Sequence, residues 1–507
     1  MSSSSSSSDA TSQNSVDVEK DPGRDLTIPV SAPSTSASSS SSESLPCDSS
    51  VVKDEQLEPE PITFTLPDKK GHSSFTRWLD YIFFSYYRKT FSIIFAANLI
   101  AFIVLIVHNR GWPLAPEVGT AASSNLMVAL LFRQENFVNL VYEIAVACPH
   151  SVPLWIRRRL AKVFHYGGAH SGAGVAAVVW YIMYTVVTTR DYILLHNHAS
   201  LANLITSYVL CTMFCLILAG AHPTFRRKYH DYFEAMHRYS GWVALVTFWI
   251  HSVFAGEEYR KRDEHPKSLG MYLITTPNFW TLVVSTSCSF LSWGRLRLRE
   301  VYPEHLSDHA IRLHFKYRDM RPFYGLKVST RPLAEWHAFA TIPDDDGTGS
   351  GSKGFSIVIS NAGDWTKATI QNPPKKLWVR GYPLHGLLFT SKLFKRIVVV
   401  ATGSGIGPCL SLLYADVTPR RVLWSTPNPS TTFGDKIVEA VTKADPNALI
   451  WNTRPQGRPD MIKLTWQLVQ ESNAEAVFII SNPKITRKVV YGMESRGIAA
   501  YGAIFDS

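Results

Sequence analysis

The sequence predicts a multi-domain chain in which a six-helix transmembrane bundle precedes a small antiparallel barrel and an α/β nucleotide-binding domain. Three observations lead there. Apolar residues crowd between Phe91 and Trp293, short alternating strands follow Arg299, and from Arg396 onward strands are spaced by helix-length segments. A chain of 507 residues is too long for one core. The expected divisions are 1–62, 63–300, 301–392 and 393–507.

Residues 1–62 are crowded with Ser (Ser2 to Ser8, Ser38 to Ser42), Pro, Asp and Glu and have almost no aromatic residue. Such a tail cannot bury enough apolar surface to offset its ordering entropy, so it is expected to be disordered. No secretory signal is expected in it, because the first apolar run comes only after Arg88.

Six expected spans run from Phe91 to Val107, Asn125 to Ala147, His165 to Val187, Leu201 to Ala221, His237 to Ala255 and Pro277 to Trp293. The net charge of +10 raises nucleic acid as a partner. However, the Lys and Arg sit in short clusters beside apolar runs, as at Arg157, Arg158, Arg159 and Lys162 or Arg226, Arg227 and Lys228. That placement argues for the lipid bilayer and against nucleic acid, and it puts both termini of a multi-pass protein on the cytoplasmic side of a plasma membrane or endomembrane. The six cysteines form no Cys-x-x-Cys pair and read as reduced and structural. In the second span, Glu135, Asn139 and Glu143 recur every four residues and make one polar face. It is expected to point into the bundle or a wet cavity, or to lie at the interface.

Two histidines bracket the fifth span. His237 and His251 are 14 residues apart, which returns the second ring to about the same helix face. His170, in the Gly-rich start of the third span, is expected at the depth of His237, and a haem b held by this pair is one reading. Tight helix packing explains the glycines equally well. The same 14-residue step from His170 reaches Tyr184, so His251 has no imidazole partner there.

Strands are expected at Ala310 to Lys316, Tyr324 to Ser329, His337 to Ile342 and Phe355 to Ser360, as an antiparallel barrel. The strands after them, at Arg396 to Ala401, Arg421 to Ser425, Ala448 to Asn452 and Ala476 to Ser481, belong to a parallel sheet. The first of these runs into Gly403-Ser-Gly405-Ile-Gly407-Pro408 and an apolar helix. Glycines in that context let the backbone approach a pyrophosphate whose charge the helix N-terminus favours.

With both halves read, the chain resembles the ferric reductase and NADPH oxidase superfamily, and within it the TmpA-type membrane flavoproteins of filamentous fungi, from about Phe91 to Ser507. The resemblance implies a ferredoxin-reductase-type module binding FAD and NAD(P)H. It places His337 and Phe339 at the flavin, Gly381 and Gly386 at its diphosphate turn, and Gly403, Gly405, Gly407 and Pro408 at the nicotinamide nucleotide. Arg454 and Arg458 would serve the 2′-phosphate, since the usual arginine is missing at Thr426 to Asn428. Phe505 would shield the flavin ring, and His170 and His237 would hold one inner haem as metal ligands. The sequence departs from the superfamily at Trp336-His-Ala-Phe-Ala-Thr341 and at Ser481-Asn-Pro483, where a Cys-Gly-Pro is usual. The function implied is an NAD(P)H-dependent membrane oxidoreductase of the ferric reductase type, with the acceptor and any protein partner open. Alternatives are a redox-sensing membrane flavoprotein and a membrane anchor for a biosynthetic partner.

Overall fold

The structure is a computed structural model that describes residues 65–70, 73–79, 85–194, 200–344 and 354–503. The expected tail 1–62 and Phe505 lie outside the described residues.

The helical part begins with α1 (Ser74–Trp78), α2 (Tyr86–His108), α3 (Ala115–Leu131) and α4 (Glu135–Val146). It continues with α5 (Leu154–Leu160), a 3-10 turn (Ala161–Tyr166), α6 (Gly167–Leu194), α7 (Leu201–Gly220), α8 (Pro223–Lys228), α9 (His230–Arg260), α10 (Leu269–Thr275) and α11 (Pro277–Trp293). Side-chain caps start several of these helices. Ser200 accepts from the Asn203 backbone N–H at the start of α7, and Ser268 accepts from that of Met271 at the start of α10. Glycines set the closest approach between helices. A Cβ on Gly168 would stand 2.3 Å from the Tyr87 carbonyl oxygen, and one on Gly172 3.0 Å from that of Phe91, so α6 lies directly on α2.

The expected six-helix transmembrane bundle is corrected here. Among the described residues, three helices are long and apolar enough to cross a membrane by length and composition: Tyr86–His108, the continuous Leu154–Leu194 and Leu201–Gly220. The expected second span is broken, because the Gln134 side chain accepts from the Phe137 backbone N–H at 2.8 Å and starts a new helix, α4. The expected fifth span, in α9, carries His237, Arg238 and His251, which lower its apolarity. The sixth, α11, is 17 residues long and interrupted by Ser and Thr.

The polar face of α4 packs on a strand 240 residues further along the chain. Asn139 donates to the Pro383 carbonyl at 2.8 Å and accepts from the His385 backbone N–H at 2.9 Å, and Glu143 meets His385 Nε2 at 2.8 Å. The buried Glu135 carboxylate accepts from Ser292 and lies 3.8 Å from Lys327 Nζ.

An antiparallel sheet follows: β1 (Arg297–Glu300), β2 (Tyr302–His305), β3 (Ala310–Phe315), β4 (Tyr324–Ser329), β5 (His337–Pro343), β6 (Phe355–Ser360), α12 (Asp364–Gln371) and β7 (Lys376–His385). Its strand order is β1-β7-β4-β5-β6-β3-β2. The two outer strands are joined through Val301, whose N–H donates to the Lys375 carbonyl at 3.0 Å, so the sheet curls into a barrel. Ile311, Leu313, Phe315, Val328, Phe355, Ile357, Ile359 and Leu377 fill it.

The last part is a parallel sheet of order β10-β9-β8-β11-β12, built from β8 (Ile397–Thr402), α13 (Ile406–Ala415), β9 (Arg420–Thr426), α14 (Pro429–Phe433) and α15 (Asp435–Ala444). β10 (Leu449–Asn452), α16 (Thr453–Gln456), α17 (Met461–Ser472), β11 (Ala476–Ile480), α18 (Pro483–Glu494) and β12 (Ala499–Gly502) complete it. Strands buried on both faces read as continuous apolar runs, as Ile397 to Ala401 and Ala476 to Ile480 do. The chain leaves β8 toward β9 and β10 on one side and returns to β11 and β12 on the other. The carboxyl ends of β8 and β11 therefore flank a topological switch point, where open α/β sheets place ligands. Arg157 of α5, buried, ties this sheet to the helical part through a two-pronged contact with Glu475, at 2.9 and 3.1 Å, and a bond to the Leu393 carbonyl.

Candidate functional site: the cleft at the carboxyl ends of β8 to β10

The loop leaving β8 is held from three sides. Trp424 Nε1 donates to the Gly403 carbonyl at 3.1 Å, and the Thr402 hydroxyl bonds that of Ser481 across the switch point. The Ser404 hydroxyl faces His309 Nε2 at 3.4 Å. Gly403 sits at φ +49°, in the left-handed region that glycine tolerates, and the space where its side chain would be is open.

The neighbouring glycines do different work. A Cβ on Gly405 would lie 2.0 Å from the Ile480 carbonyl oxygen. Gly405 therefore lets the loop pass against the end of β11, and the close approach expected there toward a pyrophosphate is made to protein backbone instead. Gly407 faces Val358 of the barrel at ordinary contact distance. Pro408 stands in the first turn of α13, where a missing N–H costs the helix nothing.

Beside this loop, Asn428 takes a left-handed conformation (φ 39°) and its N–H donates to Asn452 Oδ1 at 2.9 Å. The same oxygen accepts from the Arg454 backbone N–H at 3.1 Å. One amide thus joins the turn after β9 to the turn after β10 and presents the exposed Arg454. Together His309, Gly403, Ser404, Thr426, Asn428, Thr432, Phe433 and Arg454 line a cleft of about 420 Å³. Arg458 is exposed and outside that lining. The cleft has hydroxyls and backbone at one end and a cation at the other, which suits a phosphorylated nucleotide. His309 was not legible beforehand, because it comes from the β2–β3 turn of the barrel and only the docking of the two sheets brings it here. Its ring meets Phe433 edge-on at 5.4 Å.

The residues expected around a flavin are placed as follows. His337 and Phe339 share one face of β5 beside Trp365 of α12, which stacks on the imidazole at 4.0 Å and lies 6.0 Å from Phe339. An aromatic face is therefore present. Burial lowers the His337 pKa from its ordinary value, with Glu335 beside it acting the other way. Gly381, at φ +74°, faces Glu135, whose Oε1 would be 2.6 Å from an added Cβ, so a carboxylate fills the space expected for a diphosphate. The Gly386 N–H donates to the Phe323 carbonyl at 2.8 Å and extends the β4–β7 ladder by one bond.

His170 and His237 face each other with ring centroids 6.4 Å apart and planes tilted by 58°, and His170 Nδ1 meets the Ala129 carbonyl at 2.9 Å. Among the described residues, no group of three or more His, Cys, Asp or Glu side chains could hold a metal ion.

Residues 387–507 match the family model described as "Adenylate-forming reductase 03009, C-terminal domain". Two curated proteins of Coprinopsis cinerea are similar over most of this chain. Adenylate-forming reductase 03009 is 43% identical over 439 residues, covering 87% of this chain and 42% of the relative. Adenylate-forming reductase 06235 is 41% identical over 461 residues, covering 90% and 44%. The chain thus spans less than half the length of the curated relatives it matches. Solved structures with partial similarity include a ferredoxin-NADP+ reductase of Plasmodium falciparum (TM-score 0.30, 13% identity, 41% of this chain and 95% of that one). Another is the Amycolatopsis cytochrome P450 reductase GcoB (TM-score 0.32, 11% identity, 42% and 71%).

These relatives overturn the expected resemblance to the ferric reductase and NADPH oxidase superfamily. The function drawn from it, a ferric-reductase-type membrane flavoprotein passing electrons through a haem on His170 and His237, falls with it, as do its sensor and anchor alternatives.

Proposed function

We propose that this chain is a reductase unit that takes its reducing equivalents from NAD(P)H bound in the cleft at the carboxyl ends of β8 to β10. The observation that carries this reading is the cleft itself, where Gly403 and Ser404 after β8, Asn428 after β9 and Arg454 after β10 converge from three connections of a parallel sheet beside its switch point. The similarity of residues 387–507 to the C-terminal domain of an adenylate-forming reductase supports it. Bound NAD(P)H supplies a hydride. The chain's own residues bind and orient: the open face of Gly403 and the Ser404 hydroxyl receive phosphate oxygens, and Arg454 offers its guanidinium to a further phosphate. His309 and Phe433 wall the cleft. FAD is proposed as a second cofactor on the ground of the His337–Trp365–Phe339 stack alone. Gly381 is closed to its diphosphate, and no step is routed through it.

The test is coenzyme binding by nicotinamide fluorescence with Arg454→Glu. That residue is exposed and its side chain has no partner among the described residues, so the fold is expected to be retained. Reversing its charge is expected to weaken NADPH binding by at least ~10-fold. Unchanged binding in a folded variant would move the coenzyme out of this cleft.

A further inference from the structure

A second cavity, of about 100 Å³, lies in the helical part between α3, α6, α9, α10 and α11, remote in sequence from the nucleotide cleft. Phe248, Leu273 and Phe279 give it apolar walls, and His251, Tyr181 and Tyr259 give it polar groups. This is about two-thirds of the ~150 Å³ of an engineered apolar cavity that holds benzene, so it sets a single small ring as the upper limit for an occupant.

The polar groups are poised in a definite sense. Thr206 Oγ1 lies 2.8 Å from the Ala202 carbonyl and 3.1 Å from that of Asn203, so its one proton is directed to a carbonyl. Its lone pair then accepts from His251 Nδ1 at 3.0 Å, which leaves His251 Nε2 as an acceptor. The imidazole is 4% exposed and has no second partner among the described residues. Tyr184 holds it edge-on at 5.3 Å, with the planes at 87°. The Tyr181 and Tyr259 hydroxyls are buried without a hydrogen bond of normal geometry, with Ser207 a polar neighbour of the first and Tyr184 of the second. Buried polar atoms left in this way are costly unless something pairs with them.

We propose that this cavity binds a small uncharged phenol, one aromatic ring bearing a hydroxyl. The ligand hydroxyl donates to His251 Nε2 and accepts from a tyrosine hydroxyl, while Phe248, Phe279 and Leu273 enclose the ring. The requirement for a donor follows from the tautomer that Thr206 imposes, and the requirement for a ring follows from the walls and the volume.

The experiment is calorimetric titration of the purified full chain with phenol and with toluene, which has the same shape and no hydroxyl. Phenol is expected to bind saturably and toluene at least ~10-fold more weakly. His251→Phe should remove that preference by weakening phenol toward toluene. Ala255→Phe, which fills the cavity from its lining, should abolish binding of both and carries the test should His251→Phe fail to fold. Arg454→Glu should leave phenol binding unchanged, which separates this site from the coenzyme cleft. Absence of saturable phenol binding, equal affinity for toluene, or binding that survives Ala255→Phe in the folded protein would each overturn the proposal.

Discussion

At the scale of single residues, glycines with similar sequence neighbourhoods do unlike things, and Gly405 shows the consequence. An added methyl would meet main-chain oxygen on β11, which no rotamer change can relieve. Gly405→Ala is therefore expected to lower stability by about 2 kcal/mol or more, on the scale of overpacking a tight core. Chemical denaturation would measure this. Gly403→Ala has open space and pays mainly for its left-handed backbone, about 1 kcal/mol.

His314 is the clearest titration switch. Hydrogen bonding to Asp344 at 2.9 Å raises its pKa despite burial, and Glu304 adds to the effect from the other side. A base with a raised folded pKa contributes stability that is full below its unfolded value and is lost as pH rises through the folded one. Asp344 and Glu304 are each pushed up by burial, but hydrogen bonds outweigh it and hold both below their ordinary values. Their contribution is accordingly lost as pH falls through those lowered values. Thermal melts across pH should show a maximum between these limits, and His314→Gln should flatten the alkaline limb.

At the scale of elements, α4 shows how far the sequence could be read. The repeat of Glu135, Asn139 and Glu143 is visible as one face of a helix, and the strands 324–329 and 355–360 have in the structure the limits their alternation gives. What receives the α4 face is not visible, because β7 lies some 240 residues away and no local pattern encodes a long-range partner. The break at Gln134 was missed for a related reason: a single side-chain cap outweighs a run of apolar residues around it. Asn139→Leu removes both bonds to β7 and leaves the Pro383 carbonyl and His385 N–H unpaired. A loss of about 2 to 3 kcal/mol is expected in denaturant unfolding. α2, in contrast, has no buried residue, and Ile93, Leu99, Ile100, Ile103, Val104 and Val107 are all exposed. A strip of that size calls for a cover. Light scattering of the isolated chain should show association in detergent-free buffer and a monodisperse species in detergent.

Over the whole molecule, the juxtapositions in the helical part were legible from helix geometry alone. The 14-residue step sets His170 against His237 and Tyr184 against His251, and both pairs are in contact. The chemistry those contacts serve was not legible, because the same pairs fit several ligands and only relatives of known kind discriminate among them. The Arg157–Glu475 contact gives the halves a shared fate. Removing the arginine leaves the Glu475 carboxylate, one-fifth exposed at the start of β11, with the Lys395 N–H as its remaining partner, a change that costs less than the ~3 to 5 kcal/mol of a fully buried pair. Calorimetry should show one main transition for the natural chain and a separated, earlier one for Arg157→Ala.

The seam at Val301 bears on how the chain is made. β1 and β2 are successive in synthesis yet stand at opposite margins of one sheet, and Glu300 waits for Lys376 before its side of the sheet is complete. On an emerging chain, the first strand of the barrel has no neighbour until the last has left the ribosome. Closure pays for a long loop before any pairing rewards it. During that interval the open margins of β1 and β4, both of which β7 later covers, are free to pair with other nascent chains. The rate at which residues 301–385 are translated should therefore govern the yield of folded protein more than the rate for any helix before them.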